Sequence, residues 1–169
     1  ILDSAMGYYI KAADIFILSK DSVQLEKAYR NTAIVLSSTG NAKKSLKYRL
    51  LSLNIARDLK DNDAIGGNLL GLGNLKLDES SWDSANYYFE LADSCFMLSE
   101  NVRGRIWTQN NLANSAYYSG NHEEAQKHFL LSKDLAIQMK DSNEILSLIH
   151  ISEPTRPLYI SYAVFCLKK

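Results

Sequence analysis

The only imidazoles are His122, His128 and His150, and the only thiols are Cys95 and Cys166. His122 and His128 stand six positions apart in one helical stretch, a spacing that sets them on different faces, so a shared metal is not expected. They read as a turn residue and a part-buried helix residue. Two widely separated cysteines make neither a disulfide framework nor a zinc set, and Cys95 reads as a small buried side chain. The glycines Gly66, Gly67, Gly71 and Gly73 imitate a phosphate-cradling loop, but no strand precedes them and helix packing explains them better. No Gly-x-Ser-x-Gly or metal-ligand motif occurs. The expectation is therefore no catalytic residue, no metal, no cofactor and no enzyme activity. Recognition is the chemistry left. Asn31, Asn74, Asn110, Asn111 and Asn114 are mediocre helix formers set in helical stretches, and each carboxamide can both donate to and accept from the backbone of an extended peptide. Arg30, Trp107, Tyr117 and Tyr118 join them, the aromatics being typical binding anchors. The alternative is that the asparagines face solvent and the aromatics pack on a neighbouring helix.

These residues are carried by elements that recur every 40 positions. Gly120 precedes a helix bearing Ala125, Phe129, Ser132, Leu135, Ala136 and Met139. One step back lie Ala85, Phe89, Ala92, Cys95, Phe96 and Ser99, and another step gives Ser45, Arg49, Ser52, Ile55, Ala56 and Leu59. The three-to-four spacing of apolar positions predicts helices over 1–20, 23–39, 42–60, 64–78, 82–99, 103–119 and 122–140. In the first, Ala5, Tyr8, Tyr9, Ala12, Ile15, Phe16 and Ser19 are expected to share the inward face. The stripe Trp82, Ala85, Tyr88, Phe89, Ala92 and Phe96 is expected at the centre of the core. The helix over 64–78 should depend on packing, because each interior glycine costs about 1 kcal/mol against alanine. Ser142-Asn143-Glu144 has the side chains of a further N-cap.

Length and charge agree with one all-α domain. The chain has 169 residues, 46% of them hydrophobic, with 19 basic and 19 acidic side chains. Such a balance offers no field to draw it onto nucleic acid or an anionic membrane. Nor does any apolar run reach the roughly 18 to 20 residues of a membrane span. The compartment, cytoplasmic or periplasmic, stays open, since a leader upstream of Ile1 is compatible with the sequence.

Alternating helices with small residues at fixed places resemble the tetratricopeptide repeat family, in the 40-residue variant of bacterial sensors and regulators. The matching positions are Gln109, Leu112, Ala113, Ala116, Ala125, Phe129 and Ile137, then Leu69, Leu72, Gly73, Lys76, Ala85, Phe89 and Met97. In the first complete unit they are Tyr29, Thr32, Ala33, Leu36, Ser45, Arg49 and Arg57. Ala33, Gly73 and Ala113 would face Ser45, Ala85 and Ala125 where paired helices approach. The resemblance implies a right-handed α-solenoid of antiparallel helix pairs: a half repeat over 1–21, repeats over 22–61, 62–101 and 102–141, and the start of a further helix over 142–145. It implies a concave wall lined by the first helix of each pair, where Lys27, Arg30, Asn31, Ile34, Leu70, Gly71, Asn74, Trp107, Asn110, Asn111, Asn114, Tyr117 and Tyr118 are expected to face outward. The carboxylate clamp of chaperone-tail binders is not carried over, because Ile34 and Leu70 interrupt it.

From Leu146 the pattern stops, and both prolines, Pro154 and Pro157, lie beyond it. LSLIHISEPTR and ISYAVFCL resemble translated sequencing-adapter DNA on either side of an index-sized gap. Residues 146–169 are thus expected to be non-native, the natural sequence being cut at about Ile145, the alternative being a genuine apolar tail. Without them the chain turns slightly acidic, since Arg156, Lys168 and Lys169 leave with only Glu153. The function expected is a non-enzymatic interaction or scaffold module that binds a peptide or protein segment in its groove. The alternative is a sensory or regulatory segment of a larger bacterial signalling protein, a histidine kinase or a transcription regulator.

Overall fold

The computed structural model describes residues 2–139, with side chains from residue 7 onward. Polar residues punctuate the chain every 20 positions, and the backbone follows them. Asp21, Asn41, Asp61, Ser81, Asn101 and Asn121 each precede a helix, and the residue before each of them, Lys20, Gly40, Lys60, Ser80, Glu100 and Gly120, has a positive φ between 55° and 89°. All six turns close by the same pair of bonds. At the first, the Asp21 amide donates to Phe16 O at 3.0 Å and the Lys20 amide to Ile17 O at 3.3 Å. This is the Schellman closure of a helix C-terminus. Four of the six polar residues then cap the following helix by side chain: Asp21 accepts from the Gln24 amide, Asp61 from Ala64, Asn101 from Gly104 and Asn121 from Glu124. One turn geometry thus ends each helix and starts the next.

The described helices are α1 (Leu2–Ser19), α2 (Ser22–Ser38), α3 (Ala42–Asp58), α4 (Asn62–Asp78), α5 (Trp82–Leu98), α6 (Val102–Tyr118) and α7 (His122–Gln138). They form the right-handed α-solenoid expected, α2 pairing with α3, α4 with α5 and α6 with α7. Small residues set the approach within each pair. The Ser45 hydroxyl donates to Ala33 O at 2.8 Å, and Ala33, Ser45, Ala85, Ala113 and Ala125 are all at most 1% exposed. Gly73 is required by its partner, since a Cβ there would overlap the Phe89 ring. Phe96 wedges between pairs in the same way, with Gly66 on α4 and Gly104 on α6 each leaving room for its ring. Around these rings gather Leu53, Leu69, Leu72 and Ala92, and beside them Ala85 and Leu112. A buried phenylalanine of this kind contributes up to about 3 kcal/mol in area alone.

On one side of the stack the first helices of the pairs approach one another, α2 touching α4 and α4 touching α6, while α3, α5 and α7 stand further apart. Helices closer on one side than on the other curve the stack toward the α2–α4–α6 wall.

Several inward assignments are corrected. On α1, Tyr8, Ile15 and Ser19 are exposed and Ala13 is buried instead, because α2 is the helix that α1 packs on among the described residues. Trp82 is half-buried at the start of α5, away from the core centre, and Tyr88 is also half-buried. Cys95 is likewise half-buried, and burial raises its thiol pKa above the ordinary value. The suspected adapter-derived residues, the further helix start and His150 and Cys166 lie outside the described residues.

Candidate functional site

The 40-residue step places corresponding side chains in rows across the α2–α4–α6 wall. Lys27, Gly67 and Trp107 make one row; Arg30, Leu70 and Asn110 the next; then Asn31, Gly71 and Asn111; then Ile34, Asn74 and Asn114. Asn74, Ile34 and Trp107 are exposed, and Asn31, Asn111 and Asn114 are half-exposed. Among the described residues the side chains of these asparagines and of Trp107 make no hydrogen bond, so their polar groups remain available.

Five expected positions depart from this arrangement, the first being Leu70, which is half-buried against the core. Asn110 is 5% exposed, and its amide nitrogen is enclosed without a partner among the described residues. Gly71 is buried rather than outward, because Arg49 covers it. Tyr117 and Tyr118 sit at the last turn of α6, about 15 Å along the axis from Trp107. There Tyr118 stacks on Trp82 with centroids 6.2 Å apart, while Tyr117 lies 5.1 Å from the His122 ring. The aromatics therefore divide into Trp107 on the wall and a second cluster at the turn edge.

Sequence reasoning passed over a polar group between the first two pairs. Glu26 is 2% exposed, and its Oε1 accepts from Arg30 Nε at 3.1 Å, Ser52 Oγ at 2.8 Å and Asn68 Nδ2 at 3.2 Å. Asn68 Nδ2 also donates to Ser52 Oγ at 2.8 Å and to Ala64 O at 3.0 Å. This network joins α2, α3 and α4 around one carboxylate. Arg30, fixed by it, lies over Gly67, whose absent Cβ would stand 3.7 Å from its Nη1.

Arg49 enters from α3 and ends over Gly71, where a Cβ would overlap its Cζ and Nη1. It is 5% exposed, and among the described residues it has no carboxylate or hydrogen-bond partner. Its Nε is wholly enclosed without a partner. Burial, and then the charge of Arg30, push its pKa down to about 10. The signal for Arg49 is present in the repeat, where its counterparts are Phe89 and Phe129, and where Gly71 interrupts the Asn31/Asn111 row.

His128 is occupied structurally. Its Nδ1 lies 2.7 Å from Gln109 Oε1 and its Nε2 3.5 Å from Glu124 Oε1, and burial lowers its pKa despite the opposing pull of Glu124. Among the described residues no group of three His, Cys, Asp or Glu side chains is placed to hold a metal, and no helix is long and apolar enough to cross a membrane.

No protein-family model matches the chain, and no curated protein matches it significantly. Solved structures do match. The apo form of RapI superposes with a TM-score of 0.77 at 18% identity, over 96% of this chain and 46% of that one. The Rap conjugation gene regulator of plasmid pLS20, in complex with the Phr* peptide, gives 0.78 at 22% identity, over 99% and 47%. BtubC (BKLC) from P. vanneervenii gives 0.70 at 17% identity, over 82% and 58%. The chain spans about half the length of these structures, and the likeness establishes the helical-repeat fold.

Proposed function

We propose that the chain is a non-enzymatic interaction module that holds an extended peptide or protein segment along the α2–α4–α6 wall. The observation that carries this reading is the set Asn31, Asn74, Asn111, Asn114 and Trp107, displayed on the wall without hydrogen-bond partners among the described residues. Carboxamides spaced along neighbouring helices can match the alternating donors and acceptors of an extended backbone, and an indole beside them supplies an apolar anchor. Arg30 belongs to this wall through its place over Gly67. Asn110 would contribute only by turning outward, and Tyr117 and Tyr118 would meet a ligand that continues to the turn edge. The likeness in fold to a regulator described in complex with a peptide supports the same class of partner.

The double variant Trp107→Ala, Asn111→Ala tests the reading. Peptides selected from a displayed random decapeptide library on the parent protein should bind the variant about tenfold more weakly or worse, the scale expected when one hot-spot side chain is truncated. Helicity by circular dichroism should be unchanged. Equal binding by variant and parent removes this wall from consideration.

A second reading, that the chain is the sensory or regulatory part of a larger bacterial signalling protein, is favoured by its spanning about half of a gene regulator of the same fold. A kinase core or a helix-turn-helix encoded next to it in the same gene would decide for that reading.

A further inference from the structure

We propose that the outer face of α3 is a second docking surface, separate from the α2–α4–α6 wall, and that it receives an acidic amphipathic helix of a partner protein. Helix α3 packs on α2 and α4 and buries Ser45, Arg49, Ser52, Leu53 and Ala56. A second stripe of the same helix, Lys43, Leu46, Lys47, Leu50, Leu51 and Asn54, lines a shallow groove of about 370 Å³ on its exposed side. Steps of three and four residues make this stripe a single face, roughly three turns long, and that is the pattern by which one helix meets another. Leu46, Leu50 and Leu51 remain 38%, 44% and 38% exposed at its middle, with the lysines at one end and Asn54 at the other. An apolar centre with a polar rim is the anatomy of a protein interface.

The repeat itself does not require this stripe. Leu51 recurs as Leu91 and Leu131, but Leu46 has Asn86 and Gln126 as its counterparts, and Leu50 has Glu90 on α5 and Leu130 on α7. The lysines are just as particular to α3, since Lys43 stands where α5 has Asp83 and α7 has Glu123, and Lys44 where α7 has Glu124. Acids suit the first turn of a helix and cations oppose its dipole, yet α3 has no acid there and no side-chain cap from Asn41. The side chains of Lys43, Lys44 and Lys47 make no ion pair or hydrogen bond among the described residues, and the one acid of α3, Asp58, lies at its far end. These charges are therefore unfavourable for the helix that carries them, and Asp or Glu on a partner would complement them. The groove also favours a helix over a bilayer. An interfacial helix sinks its apolar face roughly 5–10 Å into the headgroup region, whereas these leucines are more than half covered by their own fold.

Three displayed pools of sixteen-residue peptides test this, each with leucines at helical steps of three and four and with the flanking positions restricted to Asp and Glu, to Lys and Arg, or to Ser and Gln. Panned on the full chain, the acidic pool should be enriched. A labelled member of it should bind the double variant Leu46→Asn, Leu50→Glu about tenfold more weakly or worse by fluorescence anisotropy. Those substitutions bring the α5 residues to the same places on α3, so helicity by circular dichroism should be unchanged. The double variant Lys43→Glu, Lys44→Glu, which brings in the α7 residues, should weaken binding on the same scale at low salt without lowering Tm. Enrichment of the basic pool, of the uncharged pool or of none overturns the proposal, as does equal binding by the leucine variant and the parent. A lower Tm in the lysine variant shows that these lysines serve the fold, and overturns the charge argument and the acidic partner with it. Co-sedimentation of the chain with vesicles of phosphatidylcholine and phosphatidylglycerol, lost in the leucine variant, assigns the face to lipid and likewise overturns the proposal. The groove reading stands or falls separately, because Trp107→Ala, Asn111→Ala leaves α3 untouched.

Discussion

The seam between α2/α3 and α4 and the seam between α4/α5 and α6 are built from corresponding positions and solved with opposite chemistry. In the second, phenyl rings fill what glycine vacates: Phe96 against Gly66 and Gly104, with Phe89 against Gly73 inside the pair beside it. In the first, Glu26, Ser52, Asn68 and Arg30 form a bonded network, and Arg49 stands where the repeat elsewhere has phenylalanine. Gly71 and Gly73, two residues apart on α4, show the contrast most directly, one admitting a guanidinium and the other a ring. A single helix thus uses the same residue type to admit a ring on one face and a guanidinium on the other. Apolar wedges hold the pairs together, whereas the polar seam encloses the Arg49 charge with no acid beside it among the described residues.

The largest effect that would break this contrast comes from removing the rings. Phe89→Ala should destabilise by about 4 kcal/mol, the transfer term plus a cavity that Gly73 has no side chain to fill. Urea unfolding followed by circular dichroism measures it, and a loss below about 1 kcal/mol would show that the ring is not the wedge described. The corresponding change in the polar seam should have the opposite sign. Arg49→Met removes an unpartnered buried charge and keeps most of the volume, so stability should hold or rise by about 1 kcal/mol in the same titration. Marked destabilisation would mean that Arg49 serves the fold, as Phe89 does, and would remove the distinction between the two seams.

How far each seam was legible in the sequence follows from this contrast. The helices and their pairing could be read because Asp, Asn or Ser recurs every 20 positions and small residues every 40, and such local signals act through the backbone that carries them. Observed ends lie within two residues of those expected. The contact of Ala33 with Ser45 could be anticipated because both partners follow the repeat, whereas Gly73, expected to face Ala85, has the Phe89 ring as its nearest neighbour. Gly71 could not be assigned from its own position, since its burial depends on a long side chain arriving from a different pair. Asn110 shares its row with Arg30 and Leu70, which are half-buried, so the whole row lies toward the core side of the wall and the carboxamide there is enclosed. Trp82 looked central by hydrophobicity, yet as the first residue of α5 it lies at the turn edge, where Tyr118 is the ring it meets.

The smallest effect sharpens the comparison by asking whether the two seams are equally relaxed. Lys60 joins α3 to α4 at the polar seam, Glu100 joins α5 to α6 at the apolar one, and both sit at φ 55°. A side chain in the left-handed region is unfavourable by about 1 to 2 kcal/mol, and glycine relieves this while adding backbone entropy to the unfolded chain. Lys60→Gly and Glu100→Gly should therefore each stabilise by roughly 0.5 kcal/mol, read as a small rise in Tm. Equal gains would place the difference between the seams entirely in their side chains. A clearly larger gain at Lys60 would show that holding Arg49 and the Glu26 network strains the adjoining turn, and that the polar seam is maintained against the backbone as well as against desolvation.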